Sequence, residues 1–184
     1  METATIRGAK VLLPSEDDAP VTSWPFASPS ADEKVANIDF RGVDLGSHRL
    51  VDISLERCRF TGSRLMGVSM TRTSLKDVLF EGCRFDYSTW DQVKVNGAVA
   101  FVNCSFRETG IARSDLRGAV FDECAFGPEI TSTKMSGTDL RGSDLSGLSG
   151  LPSLVGAQVT ETQLRQLTEA MVRDLKLAVA EISP

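Results

Sequence analysis

Four cysteines, Cys58, Cys83, Cys104 and Cys124, and a single histidine, His48, are the residues of this chain best able to bind a metal, form a disulfide or attack a substrate. Their spacing suits none of these tasks. There is no C-x-x-C pair, and one imidazole leaves no partner set for a zinc site. No glycine-rich phosphate loop, dinucleotide fingerprint or Ser or Cys nucleophile with a nearby base is present. Acid–base chemistry would fall to the 25 Asp and Glu residues, but these recur at the solvent-facing positions of a repeat, so no isolated pair of acids indicates a hydrolase site. The chain reads as a non-enzymatic protein with no cofactor and no metal.

What the cysteines do report is a period. Cys83, Cys104 and Cys124 are 21 and 20 residues apart, and the large apolar residues explain why. They fall at Phe40, Leu45, Leu50, Leu55, Phe60, Leu65, Met70, Leu75, Phe80, Phe85, Trp90 and Val95, then after a slip of one residue at Phe101, Phe106, Ile111, Leu116, Phe121 and Phe126. A one-residue deletion leads to Ile130, Met135, Leu140 and Leu145. These are 22 centres with a period of five, which neither a helix nor a flat strand has. Two residues before each centre sits a smaller side chain, such as Ile38, Val43, Cys58, Val78, Cys83 or Ala119, with His48 and Pro128 as exceptions. Residues two apart on extended backbone point the same way, so a centre and its small partner face inward and the other three positions meet solvent. Glycines after the centre, among them Gly42, Gly62 and Gly82, suit corners.

Four such sides per turn place every fourth centre on one face. One face then reads Phe40, Phe60, Phe80, Phe101, Phe121, Leu140, and the next Leu45, Leu65, Phe85, Phe106, Phe126, Leu145. The others carry Leu50, Met70, Trp90, Ile111, Ile130 and Leu55, Leu75, Val95, Leu116, Met135. The spacing therefore predicts an all-β solenoid, a right-handed quadrilateral parallel β-helix over 36–150. At ~5.5 coils, each ~4.8 Å from the next, the rod is roughly 26 Å long. Cys83, Cys104 and Cys124 stack as an inward ladder of free thiols, and His48 is expected as a satisfied core residue.

The flanks differ. Residues 1–35 lack the repeat and carry prolines and a charge run, which predicts a partly flexible arm; Trp24 and Phe26, with Val11, Leu12 and Leu13, alternatively plug the first coil. Residues 151–184 hold the last turn and a C-terminal α-helix. Thr160 and Gln163 form a capping box, with Leu164, Leu167, Met171, Leu175, Ala178 and Ile182 on one side and Arg165, Glu169, Arg173 and Lys176 on the other. The helix either caps the last coil alone or also supplies a dimer contact through Leu164, Leu167, Met171 and Leu175, and the alternation of Leu175, Leu177 and Val179 leaves a final strand open.

The signature in Ala36-Asn37-Ile38-Asp39-Phe40, Val43-Asp44-Leu45, Ser114-Asp115-Leu116, Thr138-Asp139-Leu140 and Ser143-Asp144-Leu145 resembles the A(D/N)Lxx motif of the pentapeptide-repeat family. The tail SLVGAQVTETQLRQLTEA, Ser153 to Ala170, is similar to the end of the mycobacterial quinolone-resistance proteins of the Mfp/Qnr type. That resemblance implies a homodimer through the C-terminal helix and a DNA-mimic rod. The rod's partner would be a protein, DNA gyrase or another type II topoisomerase, which it would protect from quinolone-like poisons.

Mimicry works by negative potential, yet 36–150 holds 15 acids and 14 bases. The acids expected at the partner are Glu81, Asp86, Glu108, Asp122 and Glu123, interrupted by Arg84 and Arg107. A scaffold or adaptor is the alternative, binding another protein through a flat face on which outward Leu79, Val102 and Val120 form an apolar strip, unless the N-terminal arm covers that strip. The net charge of -5 argues against direct nucleic-acid binding. The lack of a ~20-residue apolar stretch and of a signal peptide's apolar segment predicts no membrane association and a cytoplasmic location.

Overall fold

The computed structural model describes residues 1–15, 18–28 and 30–180. An antiparallel hairpin of β1 (Glu2–Ile6) and β2 (Ala9–Leu13) comes first. The chain then winds into a parallel β-solenoid of about five turns. One sheet pairs Lys34–Arg41, Ser54–Thr61, Ser74–Glu81, Val99–Val102 and Val120–Asp122. A second pairs Ser30–Ala31, Arg49–Val51, Ser69–Thr71, Thr89–Asp91, Gly110–Ala112 and Glu129–Thr131. The sides between them are joined by single bridges, Asp44 to Arg64 to Arg84 to Ser105 to Ala125 to Asp144 and Lys94 to Asp115 to Lys134.

The register is the one the period predicts. Phe40, Phe60, Phe80, Phe101 and Phe121 are successive partners, as are Leu50, Met70, Trp90, Ile111 and Ile130. The phenylalanine rings stack at centroid distances of 4.7, 4.9, 5.0 and 4.7 Å, close to the strand spacing that the backbone hydrogen bonds impose. The extra residue near Gly97 and the missing one near Pro128 are both absorbed at corners. At the shortened corner the Gly127 and Gly147 backbones approach so closely that a Cβ on Gly127 would stand 3.2 Å from the Gly147 Cα.

Glycine is not the general solution for a corner. After the Trp90 side, the corner stack is Asp52, Arg72, Gln92, Arg113 and Ser132, all left-handed with φ between 48° and 56°. For L-residues this conformation costs roughly 1–2 kcal/mol each. It is offset because the N–H of Asp52, Arg72, Gln92 and Arg113 is turned to donate to a carbonyl of the next coil. The charged side chains then pair along the axis: Arg72 with Asp52 at 2.6 Å, Arg113 with Asp91 at 2.7 Å. Glu56 takes Lys34, Lys76 and Arg57 together, and these hydrogen bonds lower its carboxyl from the ordinary value near 4.5 to about 2.

The coil begins before residue 36, against the expectation of an arm. Val21 bridges to Phe40, Trp24 packs 5.5 Å from the Phe40 ring, Ser30 and Ala31 pair with Leu50 and Val51, and Val35 pairs with Leu55. The first core layer and its open strand edge need cover, which this aperiodic segment supplies with Trp24 and Phe26.

At the other end Thr160 caps α1 (Glu161–Gln166) in the capping box, and α2 (Thr168–Asp174) follows after a break at Leu167. The face turned to the rod is not the apolar stripe the sequence pattern favours. It is Gln163, Leu167, Ala170 and Asp174, because the last coil exposes unpaired backbone groups that need polar partners. Gln163 donates to the carbonyls of Leu140 and Ser143, Gln166 accepts from the Leu145 N–H, Asp174 accepts from the N–H groups of Gly150 and Leu151, and Arg173 donates to the Leu148 carbonyl. Arg173 thus reaches back to the rod although its side chain is mostly exposed, and no strand forms at Leu177 or Val179. Ile182 lies outside the described residues.

Two outcomes follow. Phe80→Ala removes a ring stacked on both sides and should cost about 3–5 kcal/mol in urea unfolding, far above the effect at an exposed corner such as Tyr87→Ala. For Glu56, a depressed carboxylate stabilises the fold above its unfolded value near 4.5 and loses that contribution as pH falls toward about 2. The Tm gap between wild type and Glu56→Gln, seen at pH 6, should therefore close across that window.

Candidate functional surface

Every side chain available to a partner sits on the outside of the coil, so each face is named here by one of its inward centres. The Phe80 face is not free. β2 lies across it with Val11 and Leu13 fully buried, and they form a second small core with Leu79, Ala100 and Val120. Ala4, Ile6, Ala9 and Val102 pack around that core. Of the two occupants expected for the apolar strip, a foreign partner or the N-terminal segment, the structure shows the second, this chain's own hairpin. Ionic contacts fasten it: Arg7 Nε lies 2.6 Å from Asp122, and Glu2 pairs with Arg59.

These contacts divide the five expected acids. Asp122 is engaged by Arg7. Glu81 sits beside Arg59 at 3.9 Å, with its side chain 41% exposed. Asp86 is buried on the outer face by its own partners, accepting from Ser105 Oγ, the Arg107 N–H and Arg84, so it braces two coils and presents little to a partner. Glu108 and Glu123 are exposed on left-handed corners, at φ 53° and 52°, but on different edges of the rod. The structure groups Glu108 instead with Glu129 and Asp174, around a cavity of about 610 Å³ floored by Gly110, Gly127 and Gly147 at the shortened corner. A carboxylate cluster with Arg173 beside it was not read from the sequence, because it arises from the deletion and from the docked tail.

The four cysteines are free and buried. Each Sγ donates to a carbonyl of the preceding coil, at 3.4–3.5 Å. Burial pushes the Cys58 thiol up to about 11 and raises Cys104 as well, so these two stay thiols and not nucleophilic thiolates. His48 is half-buried, a departure from the core position expected of it, because it lies at the first-coil end of its column where less protein covers it. Among the described residues no group of three His, Cys, Asp or Glu side chains could hold a metal, and no helix is long and apolar enough to cross a membrane.

Charge is unevenly divided among the faces, although the total for the rod is almost neutral. The Phe80 and Phe85 faces together carry Asp39, Asp44, Glu81, Asp86, Glu108, Asp122, Glu123, Asp139 and Asp144 against Arg41, Arg59, Arg64, Arg84, Arg107 and Arg141. The Val95 face reverses the balance. Lys34, Arg57, Lys76, Lys94, Arg117 and Lys134 stand there against Glu56, Asp77 and Asp115. Every lysine between the hairpin and the tail falls on this one face. The fourfold count of the sequence contained this signal, but counting charges over the whole rod averages it away.

Comparison with known proteins agrees with the architecture. Residues 49–86 match the model for pentapeptide repeats, in eight copies. Pentapeptide repeat protein MfpA of Mycobacterium tuberculosis is 29% identical over 101 residues, covering 49% of this chain and 55% of that protein. The chain thus spans about half the length of the curated relative it matches. Among solved structures, the pentapeptide repeat protein Rfr23 from the cyanobacterium Cyanothece aligns over 71% of this chain and 86% of its own, with a TM-score of 0.46 and 10% identity. A trypsin-treated form of QnrB1, described as a plasmid-mediated fluoroquinolone resistance protein, aligns over 87% and 99%, with a TM-score of 0.26 and 14% identity. With its period of five, its ladders in register and the pentapeptide repeats matched at 49–86, the chain is a pentapeptide-repeat solenoid that resembles the proteins of the Mfp type.

Proposed function

We propose that the protein is a non-enzymatic binding protein of the cytoplasm whose rod docks on a type II topoisomerase, DNA gyrase in the first instance. There it imitates duplex DNA and modulates the enzyme or protects it from quinolone-like poisons. The feature that carries the reading is the last turn with its tail. The Ser153–Ala170 segment, which resembles the Mfp type, closes the solenoid through Leu154-Val155-Gly156-Ala157, where Gln158 still bridges to Asp139, and then enters α1 and α2. Leu164, Met171 and Leu175 remain 54%, 44% and 59% exposed, with Leu177 and Val179 beside them.

An apolar surface of this kind at the end of a rod fits a second copy in a two-fold dimer, which would double the rod. Leu167 takes no part in that contact, because it is buried in its own chain's core. The acidic side supports the same reading, since a basic DNA-binding saddle is attracted to the acids left exposed along the two edges of the Phe85 face, Glu108 and Glu123, and repelled by the Val95 face. Glu81, Glu108 and Glu123 are the acids assigned to the contact; Asp122 and Asp86 hold the fold.

The test is a gyrase supercoiling assay with and without a quinolone. Purified protein at micromolar concentration should inhibit supercoiling or relieve drug-induced cleavage, and Glu108→Lys with Glu123→Lys should weaken either effect about ten-fold. No effect at that concentration sinks the topoisomerase reading. For the dimer, sizing chromatography should show two copies, and Met171→Glu with Leu175→Glu should give a monomer of unchanged Tm; a wild-type monomer rejects the helix contact.

A further inference from the structure

The Val95 face is open, and neither the hairpin nor the tail helices cover it. From the register we infer that it is a second interaction surface, independent of the topoisomerase reading, which takes an acidic polypeptide segment bearing one apolar side chain. One column of outward residues on it runs Lys34, Ser54, Ser74, Lys94, Asp115, Lys134. Beside it runs a second column holding Glu56, Lys76, Asn96 and Arg117. Two of the acids are consumed within the face. Glu56 is shared by Lys34, Lys76 and Arg57, and Asp115 pairs with Arg117 at 2.6 Å. Lys94 and Lys134 are exposed, and among the described residues no ion pair engages either of them.

Five strand-to-strand steps of ~4.8 Å make the Lys34 to Lys134 column about 24 Å long, which an extended peptide of about seven residues spans. Lys94 and Lys134 are two steps apart, roughly 10 Å, a gap that carboxylates two or four residues apart on one side of such a peptide bracket at ~7 and ~14 Å. At the C-terminal end of the same face, Arg117 and Lys134 flank a notch of about 290 Å³ whose floor and walls include Met135, Pro152 and Val155. Val155 is 76% exposed, an aliphatic group left in water beside two cations. Complementary charge along the face and an apolar seat at its end fit a peptide that combines carboxylates with one leucine or phenylalanine.

A nucleic acid is the less suitable occupant. Six bases against three acids neutralise few phosphates in a chain of net charge -5, and the notch has no counterpart on a duplex backbone.

The probe is a fluorescein-labelled twelve-residue peptide of glutamates with a leucine near one end, titrated into the full chain and followed by anisotropy. Saturable binding that weakens with salt is expected, reduced about ten-fold by Lys94→Glu with Lys134→Glu, and reduced by Val155→Asp or by replacing the leucine with glutamate. The charge-matched pair Lys10→Glu with Arg165→Glu, away from the face, should leave it unchanged. Three results overturn the inference: no saturable binding to wild type, equal loss in both charge-reversed pairs, or displacement of the peptide by a 20-bp duplex at equal charge, which would give the face to nucleic acid. Circular dichroism of each variant keeps a folding defect from passing for lost binding.

Discussion

Everything in this molecule depends on keeping parallel coils in register at the spacing of a backbone hydrogen bond. Each five-residue side is too short to hold together alone, and it becomes stable only when its N–H and C=O groups find the coils before and after it. The side chains must accept the same spacing, so phenylalanines lie over phenylalanines at 4.7–5.0 Å along most of the rod and thiols over thiols. Errors in length are tolerable only where the ladder is already interrupted. The inserted residue and the deleted one therefore both sit at corners, and the left-handed corner residues are kept in place by hydrogen bonds to the next coil.

The same constraint makes the two ends the problem a solenoid must solve, since each leaves a row of unpaired backbone groups over an open core. The N-terminal end uses aromatic cover, Trp24 and Phe26 beneath Phe40. At the C-terminal end the cover is polar. Gln163, Gln166, Arg173 and Asp174 bond to backbone groups of the last coils, and Leu167 closes the core. This division of labour leaves Leu164, Met171 and Leu175 with nothing of their own chain to pack on, which is why the tail is both a cap and an apolar surface.

Charge follows from the geometry too. Outward positions on adjacent coils are neighbours at about 4.8 Å, so like charges stacked there repel and opposite ones pair. The pairs Asp52–Arg72, Asp91–Arg113 and Lys34–Glu56–Lys76 are the result. A rod organised this way is close to neutral in total while its faces differ in sign. The acidic sides and the lysine-bearing Val95 face are separate surfaces, and a single net charge describes neither of them.

The repeat, its four faces, the tolerance of both slips and the inward thiol ladder were all legible in the sequence, because a period of five with stacked centres admits one arrangement of the backbone. Thr160 with Gln163 likewise announced the capping box. What tertiary structure alone decided concerns segments whose partners lie far away in the chain. No local pattern says that β2 is the segment that covers Leu79, Ala100 and Val120, that Arg7 will occupy Asp122, or that Asp86 will be engaged by Ser105 and Arg107 of the next coil. The helical stripe of the tail misdirected for the same reason. Periodicity picks the apolar side of a helix as the buried one, but a sheet edge needs hydrogen bonds, and so Gln163 and Asp174 face the rod while Met171 faces water.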